Sequence, residues 1–195
     1  MGSELFKMRQ QVASCRKCKL WQTRGKAVFG EGPEDANVML VGLGPGYHEN
    51  IDGRPFVGAA GKLLDELLEL SGLKREDVYI TNVIKCYLPK NRATQEEITI
   101  CTPYLDQQID LIKPPIIIPL GNVAAGYLLD KFGQQMAPMR EMHMKVVSVS
   151  TLFLTTKIIP MYHPAAALRN PGLKDRINAD WRRLGTTLKT HQIVR

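Results

Sequence analysis

The sequence predicts an α/β fold in three layers, with helices on both faces of a central, mainly parallel four-stranded sheet. Two observations indicate this. Short apolar runs alternate with segments of helical periodicity, and these runs are nearly continuous, as in strands that are buried on both faces. In such a sheet, ligands bind beyond the carboxyl ends of the strands. We therefore expect the functional residues to follow the strands.

Four segments are predicted to form the strands. Residues 37–43 (NVMLVGL) are apolar after the first position, and residues 77–85 (DVYITNVIK) are rich in β-branched side chains. Residues 115–121 (PIIIPLG) and 157–162 (KIIPMY) are further short apolar runs next to proline or glycine. Each run has the length of a strand.

Four helices are predicted at residues 59–72, 94–113, 122–130 and 173–188. The first has leucines at helical spacing on one face and ends at a glycine. The second begins with a capping box formed by Thr94 and Glu97. Residues 133–145 (GQQMAPMREMHMK) show no such pattern and are predicted to form a surface excursion.

Length and composition bound the class of protein. A chain of 195 residues that is 44% apolar can close one substantial core, so we expect residues 1–195 to form a single domain. No apolar stretch reaches membrane length, and the residues MGSELFKMRQ lack the apolar run of a secretory signal, so we expect an intracellular, cytoplasmic protein.

The net charge of +7 is concentrated in the last third of the chain. Residues 137–195 contain 10 Lys and Arg against 3 Asp and Glu, whereas residues 1–136 contain 16 of each. A concentrated basic surface suits a polyanion such as DNA. A solvated basic face without a partner is an equally good interpretation of charge alone.

The first predicted strand ends in a glycine-rich loop, VGLGPGYHEN, at residues 41–50. It differs from a dinucleotide fingerprint, because Pro45 removes a backbone N–H and the next predicted helix begins about a dozen residues later. The glycines more plausibly let a flat ligand lie against the backbone. A nucleotide-cofactor enzyme remains an alternative.

Four cysteines are the sharper signal: Cys15 and Cys18 form a CRKC motif, Cys86 follows the second predicted strand, and Cys101 lies in the next helix. Without a secretory leader a disulfide framework is not expected. Four thiolates suit one metal centre, and their spacing is compatible with either zinc or an iron–sulfur cubane. Unconnected buried cysteines are the alternative.

Several motifs together resemble the family 4 uracil-DNA glycosylases, which are iron–sulfur enzymes. The motifs are CRKC, GLGPGYHENIDGRPFVGAAGKLL, TNVIKCYLPKNRATQEEITIC, PLGNVAAGYLL and YHPAAALR, in the order and spacing of the family. The resemblance spans nearly the whole chain. It implies a uracil-DNA glycosylase-like fold, a 4Fe-4S cluster on the four cysteines and hydrolytic removal of uracil from DNA.

The resemblance also implies a uracil pocket. Phe56 matches the ring that stacks on the base, Asn82 matches the amide that reads uracil O4 and N3–H, and His163 matches the imidazole that faces O2. Leu43 and Gly44 lie in the loop expected to complete the pocket. The three side chains suit the chemistry, because cleavage needs a base that is extruded, recognised and stabilised as an anion.

The chain departs from the family pattern in the glycine loop. Leu43 stands where the family usually has an acid, and Asn50 replaces the second acid of a pair, so Glu49 is the carboxylate that we expect to position the attacking water. The missing acid also favours an alternative function. In that alternative, the chain is a metal-containing protein that binds damaged DNA with weak or altered glycosylase activity.

The remaining predictions concern DNA and partners. Leu168 or Arg169, in HPAAALR, is expected to enter the gap left by the flipped nucleotide, and the backbone N–H groups of Gly121 and Asn122 are candidates for holding a phosphate. A basic loop is a further candidate DNA contact and contains Lys85, Lys90, Asn91 and Arg92. We expect a monomer, and a sliding clamp is a candidate partner.

Overall fold

The structure is a computed structural model and describes residues 3–152 and 154–190. Within these residues, the centre is one sheet made of β1 (Val38–Gly42), β2 (Val78–Asn82), β3 (Ile116–Pro119), β4 (Val147–Ser150) and β5 (Thr155–Ile158). The strand order is β2-β1-β3-β5-β4. All neighbouring pairs are parallel except β4 and β5, which are antiparallel.

The mainly parallel sheet is confirmed, but the predicted number of four strands is wrong. The four predicted strands correspond to β1, β2, β3 and β5, although β5 spans Thr155–Ile158 and the prediction spanned residues 157–162. β4 is a fifth strand at one edge. Its sequence, VSVS, is half exposed, and only Val149 is fully buried. An edge strand of this kind has no continuous apolar run, so the pattern that identified the other four did not detect it.

Eight α-helices lie within the described residues. They are α1 (Glu4–Ser14), α2 (Tyr47–Asp52), α3 (Ala59–Leu70), α4 (Gln95–Ile112), α5 (Asn122–Lys131), α6 (Met139–Met142), α7 (Pro164–Arg169) and α8 (Lys174–Thr190). The four predicted helices correspond to α3, α4, α5 and α8. The sequence analysis did not predict α1, and it did not predict the short helices α2, α6 and α7.

The predicted capping box at the start of α4 is confirmed. The Thr94 N–H donates to the Glu97 carboxylate at 2.8 Å, and the Glu97 N–H donates to the Thr94 hydroxyl at 3.2 Å. Ser3 caps α1 in the simpler way, accepting from the Phe6 N–H at 3.1 Å. In each case a side chain satisfies an N–H that the first helical turn leaves unpaired.

The sheet separates two apolar clusters, one on each face. Val38 and Leu40 of β1 belong to the cluster that includes α3 and α8, whereas Met39 and Val41 belong to the cluster that includes α1, α4 and α5. Successive side chains of a strand point to opposite faces, so β1 contributes to both cores. The three-layer α/β/α architecture is therefore confirmed.

The prediction that residues 133–145 form a surface excursion is wrong in part. Met139, Met142 and Met144 are all buried, and the first two lie at the ends of α6. Their three-residue spacing places Met139 and Met142 on one helical face. The long methionine side chains pack into the interior and hold in place a segment whose sequence shows no helical or strand periodicity.

The ends of the strands bring distant parts of the chain together. Gly42 and Asn82 are partners at the carboxyl ends of β1 and β2. Beyond β3 and β5, Leu120 pairs with Met161, two residues before His163. No helix in the described part of the chain is long and apolar enough to cross a membrane.

Candidate active site

A cavity of about 220 Å³ opens at the carboxyl ends of the parallel strands. It is lined by Leu43, Gly44, Gly46, Glu49, Phe56, Ala60, Asn82, Leu88, Asn91, His163, Ala165 and Arg169. Every residue predicted for the uracil pocket is in this wall, together with Glu49 and Arg169. The structure thus brings together side chains from the glycine loop, β2 and the start of α7.

Two rings lie side by side in the cavity. The centroids of the Phe56 and His163 rings are 5.6 Å apart, and their planes differ by 27°. Phe56 is an aromatic surface with little exposure to solvent, and the imidazole beside it carries the polar atoms. A planar ligand in this cavity would meet both an apolar face and a hydrogen-bonding group.

Asn82 is the last residue of β2 and is 2% exposed. Its neighbour across the sheet is Gly42, where a β-carbon would overlap both the Asn82 amide and the Phe56 ring. A glycine at this position is needed because two side chains of the cavity wall converge on its backbone. The sequence analysis noted the glycine loop but did not predict this contact.

His163 is the N-cap of α7, and its Nδ1 accepts a hydrogen bond from the Ala165 N–H at 3.1 Å. Nδ1 is therefore unprotonated, and in the neutral ring the proton lies on Nε2. Burial lowers the pKa of His163 to about 4, the charge of Arg169 acts in the same direction, and Glu49 opposes them. At neutral pH the site contains an uncharged imidazole with one N–H donor.

Glu49 has a structural role that the sequence analysis missed. Its Oε1 accepts from the Val57 and Gly58 N–H groups, both at 3.0 Å, and its Oε2 accepts from the Gly46 N–H at 3.1 Å. One carboxylate thus joins the glycine loop to the segment that carries Phe56. Its match to the first acid of the family's acidic pair could not reveal these backbone contacts.

The four cysteines line a second cavity, away from the first, together with Arg24 and Tyr104. Cys86 and Cys101 are buried, and Cys15 and Cys18 are partly exposed. Two N–H groups point at the sulfurs: Arg24 Nη1 lies 3.1 Å from Cys86 Sγ, and the Lys85 N–H lies 3.3 Å from Cys101 Sγ.

In residues 3–152 and 154–190, no group of three or more His, Cys, Asp or Glu side chains is arranged to hold a metal ion. The four thiols line one cavity, and thiolates are the ligands of both structural zinc and iron–sulfur clusters.

Comparison with known proteins identifies the family. A model of the uracil DNA glycosylase superfamily matches residues 29–184. The chain belongs to this superfamily. It is 46% identical to the type-4 uracil-DNA glycosylase of Sulfurisphaera tokodaii over 182 residues. This aligned region covers 92% of this chain and 83% of that protein. Identity to the type-4 uracil-DNA glycosylase of Archaeoglobus fulgidus is 43%, covering 90% and 89% of the two chains.

A more distant member of the superfamily is also similar. The type-5 uracil-DNA glycosylase of Pyrobaculum aerophilum is 32% identical over 183 residues, covering 86% of this chain and 78% of that protein. The resemblance to the family 4 enzymes that the motifs indicated is therefore confirmed. The role of each individual residue is a separate question.

The residues predicted to contact DNA are in different environments. Leu168 is 52% exposed on α7, next to the buried Ala167, and Arg169 lines the cavity. The Gly121 N–H donates to the Met161 carbonyl at 2.9 Å, so this group is not free to hold a phosphate as predicted. The prediction for the Asn122 N–H, in the first turn of α5, stays a prediction.

The prediction that Lys85 belongs to a DNA-facing loop is wrong. Lys85 is 1% exposed, and its ammonium group donates to Thr81 Oγ1, Gln108 Oε1 and the Asn82 carbonyl, each at 2.7 Å. Its three N–H groups are thus all satisfied inside the protein. Charge patterning misplaced it because the continuous burial of β2 extends past the residue at which the strand ends. Asn91, from the same loop, lines the cavity instead.

Proposed function

We propose that this chain hydrolyses the N-glycosidic bond between uracil and deoxyribose in DNA. The observation that carries the proposal is the convergence of Phe56, Asn82 and a neutral His163 on one cavity. The names of the type-4 relatives support the same activity. The reaction is the first step in the repair of a deaminated cytosine.

Recognition of uracil is assigned to Asn82 and Phe56. A base inside a duplex is inaccessible, so it must be extruded into the cavity at a cost of a few kcal/mol. With its NH₂ group facing uracil O4 and its oxygen facing N3–H, the Asn82 amide complements uracil and mismatches cytosine. The Phe56 ring offers a stacking face for the pyrimidine.

His163 is assigned the stabilisation of the leaving group. Bond cleavage develops positive charge on the sugar and negative charge on uracil, so a donor aimed at O2 acts mainly in the transition state. The proton on Nε2 is available for this because Nδ1 is occupied by the Ala165 N–H. A neutral donor at this position can stabilise the uracil anion without first transferring its proton.

Glu49 is assigned the positioning of water at C1′. An ionised carboxylate has about four lone-pair sites, and backbone N–H groups occupy three of those on Glu49. One site is left for water, and Glu49 lines the cavity. Leu43 contributes no polar side-chain atom where the family pattern has an acid, so Glu49 is the single loop carboxylate available for this role.

A 4Fe-4S cluster is assigned to Cys15, Cys18, Cys86 and Cys101. The sulfurs line one cavity and receive two N–H donors, an arrangement typical of thiolates in such a centre. When bound, the cluster would tie the segment after α1 to α4 and to the residues that follow β2. Its role in this proposal is structural, because the cavity that holds Phe56 is a separate one.

DNA contacts are assigned to Leu168, Arg169 and the Asn122 N–H. The exposed Leu168 fits an apolar wedge between base steps, and Arg169 lies between this surface and the cavity. We further propose that the chain acts as a monomer inside the cell. Contact with a sliding clamp is a further proposal.

The test is incubation with an oligonucleotide that contains one uracil, followed by alkali. Excision leaves an abasic site, and alkali cleaves the strand there. The expected result is a shorter fragment that ends at the position of the uracil. A protein that binds the oligonucleotide tightly and releases no uracil would instead support the damaged-DNA-binding alternative, which the acid missing at Leu43 motivates. The same DNA with thymine in place of uracil is the control.

A further inference from the structure

Phe56 has an unusual backbone conformation. Its φ angle is +51°, in the left-handed region that residues with a β-carbon rarely adopt. Such a conformation is retained only where surrounding contacts fix it, and it is common at binding sites. The contacts that hold residues 55 and 56 therefore determine where the ring lies.

Two of those contacts come from one guanidinium group. Arg75, in a short turn before β2, donates from Nη2 to the Pro55 carbonyl at 2.6 Å and from Nη1 to the Phe56 carbonyl at 3.2 Å. Nη1 also donates to Asp65 at 2.9 Å, and Nε and Nη2 donate to Glu31 at 3.2 and 2.9 Å. All five N–H bonds of the guanidinium have partners.

We propose that Arg75 is a positioning residue for base excision, which holds the peptide of Phe56 in its left-handed conformation and so fixes the ring in the cavity. The inference rests on the proposed function of Phe56 as the stacking surface. It adds a residue from outside the cavity wall to the machinery of the reaction.

The surroundings of Arg75 favour this role over a general one in stability. Asp65 and Glu31 flank the guanidinium, and they orient its plane so that two N–H groups point at consecutive carbonyls. Burial tends to raise the pKa of Glu31, but hydrogen bonds from Arg54 and Arg75 lower it below its usual range. The carboxylate therefore stays charged and holds Arg75 in place.

Close packing on the other side of the peptide increases the effect of Arg75. A β-carbon at Gly61 would overlap the Phe56 carbonyl, so the backbone of α3 touches this peptide directly. The peptide lies between α3 and the guanidinium. Loss of the guanidinium leaves two carbonyls without their donors and lets residue 56 relax toward an ordinary conformation, which moves the ring.

Arg54 provides a matched control. It donates to the same Glu31 carboxylate, at 2.7 and 3.2 Å, and among the described residues it donates to neither of the two carbonyls held by Arg75. Replacing Arg54 removes an ion pair from this cluster and leaves the peptide of Phe56 held. A comparison of the two arginines thus separates positioning of the ring from stability of the cluster.

The experiment measures single-turnover uracil excision for Arg75→Met, Arg75→Lys and Arg54→Met, each alone and combined with Phe56→Ala, with the unfolding temperature of every variant. Misplacement of a substrate-contacting group by about 1 Å costs on the order of 100-fold in rate, so Arg75→Met should lose roughly 10- to 100-fold. Arg75→Lys should lose nearly as much, because one ammonium cannot reach both carbonyls and both carboxylates. Arg54→Met should stay within about twofold of the wild type.

The double variants decide the inference. If Arg75 acts through Phe56, Arg75→Met should have little further effect on excision once the ring is removed by Phe56→Ala. An equal loss in both backgrounds, or an equal loss for Arg54→Met and Arg75→Met, would overturn it while leaving the role of Phe56 intact. Full activity of Phe56→Ala would instead reject the stacking role itself and the inference with it. Arg75→Lys retains the cation beside Glu31 and Asp65, so it keeps the test valid if Arg75→Met does not fold.

Discussion

At the scale of single residues, the backbone determines the chemistry of the candidate site. The Ala165 N–H fixes the tautomer of His163, and three other N–H groups fix the carboxylate of Glu49. Side-chain identity alone would allow an imidazole to act as an acid, a base or a neutral donor. Here burial and one hydrogen bond restrict His163 to the neutral donor form.

The first prediction concerns the titration of His163. Because its pKa is lowered to about 4, the imidazole should remain neutral through the range in which an ordinary histidine, with a pKa near 6.5, gains a proton. An NMR titration of the imidazole should give a midpoint near pH 4, with the proton on Nε2 above it. A midpoint near 6.5 would contradict the environment described for this residue.

The same shift affects stability in a defined direction. As the pH falls from about 6.5, the unfolded chain binds a proton at His163 before the folded chain does, so the contribution of this residue destabilises the protein progressively down to about pH 4. The variant His163→Gln should lack this component. Chemical denaturation of both proteins between pH 7 and 4 measures the difference.

The second prediction concerns base recognition by Asn82. Replacing Asn82 with Asp exchanges the amide donor for a carboxylate oxygen, so its contact with uracil O4 becomes repulsive. The size and shape of the side chain stay nearly the same. Uracil excision should fall by on the order of 100-fold or more. Asn91→Asp, in the same cavity wall, is the control and should have a smaller effect. Equal losses for the two variants would show that added negative charge, and not recognition, lowers the rate.

At the scale of secondary-structure elements, short connections position the site. The glycine loop, α2 and the beginning of α3 are joined through Glu49, and α7 begins at His163 itself. The long helices α4 and α8 cover the sheet and contribute no side chain to the cavity wall. The candidate site is therefore built mainly by segments at and after the ends of the strands, as expected for an open α/β sheet.

The third prediction tests how Glu49 joins these segments. Glu49→Gln replaces a charged acceptor of three N–H groups by an amide with one acceptor oxygen, so it should destabilise the fold by about 2 kcal/mol and lower the excision rate. Glu66→Gln, on the exposed face of α3, should do neither. Denaturant unfolding and single-turnover excision measure the two effects. An unchanged stability would show that the three backbone contacts contribute little.

Sequence patterns predicted the main elements and not the fine placement of side chains. The apolar runs indicated four strands because β1, β2 and β3 are buried throughout and β5 is buried at alternate positions. β4 was missed because edge strands need few apolar residues. Lys85 was misplaced because its charge suggested solvent, whereas its ammonium group is held by the nearby Thr81 and Asn82 and by Gln108, which lies 23 residues away in sequence. The roles of Arg75 and Gly42 likewise depend on contacts between distant segments.

The sequence motifs predicted which residues line the cavity more completely than the sequence patterns predicted the fold. Leu43, Gly44, Phe56, Asn82 and His163 all line one cavity, since each follows a parallel strand or the loop after it. By contrast, the strand count and α6 could be obtained only from the packed structure. A loop motif specifies local chemistry directly, whereas edge strands and short helices depend on what packs against them.

At the scale of the whole molecule, the cysteine cavity and the candidate active site are both lined by residues at or just after the end of β2. The cysteine cavity involves α1, α4 and the residues after β2, and β2 ends with Asn82 in the other cavity. Lys85 links them, because its backbone N–H points at Cys101 and its ammonium group holds the Asn82 carbonyl. A substitution of one of the cysteines should therefore alter the position of Asn82 in the other cavity.

The fourth prediction concerns the cysteine centre. Cys86→Ala removes one proposed ligand from a buried site, so the purified variant should lose the brown colour and the iron content expected of the wild type. It should also unfold at a lower temperature, because a bound centre stabilises only the folded chain. Ser14→Ala, on the exposed surface beside Cys15, is the control. A colourless, fully active wild type that contains zinc would contradict the assignment.

The most direct test of the central claim is a crystal structure of the protein with DNA that contains a uracil nucleotide fluorinated at C2′, which slows cleavage of the glycosidic bond. The account predicts that uracil is flipped into the cavity and lies against Phe56. Asn82 should lie within hydrogen-bond distance of O4 and N3, and His163 Nε2 within hydrogen-bond distance of O2. A uracil that remains stacked in the DNA, or binds at another surface of the protein, would contradict it.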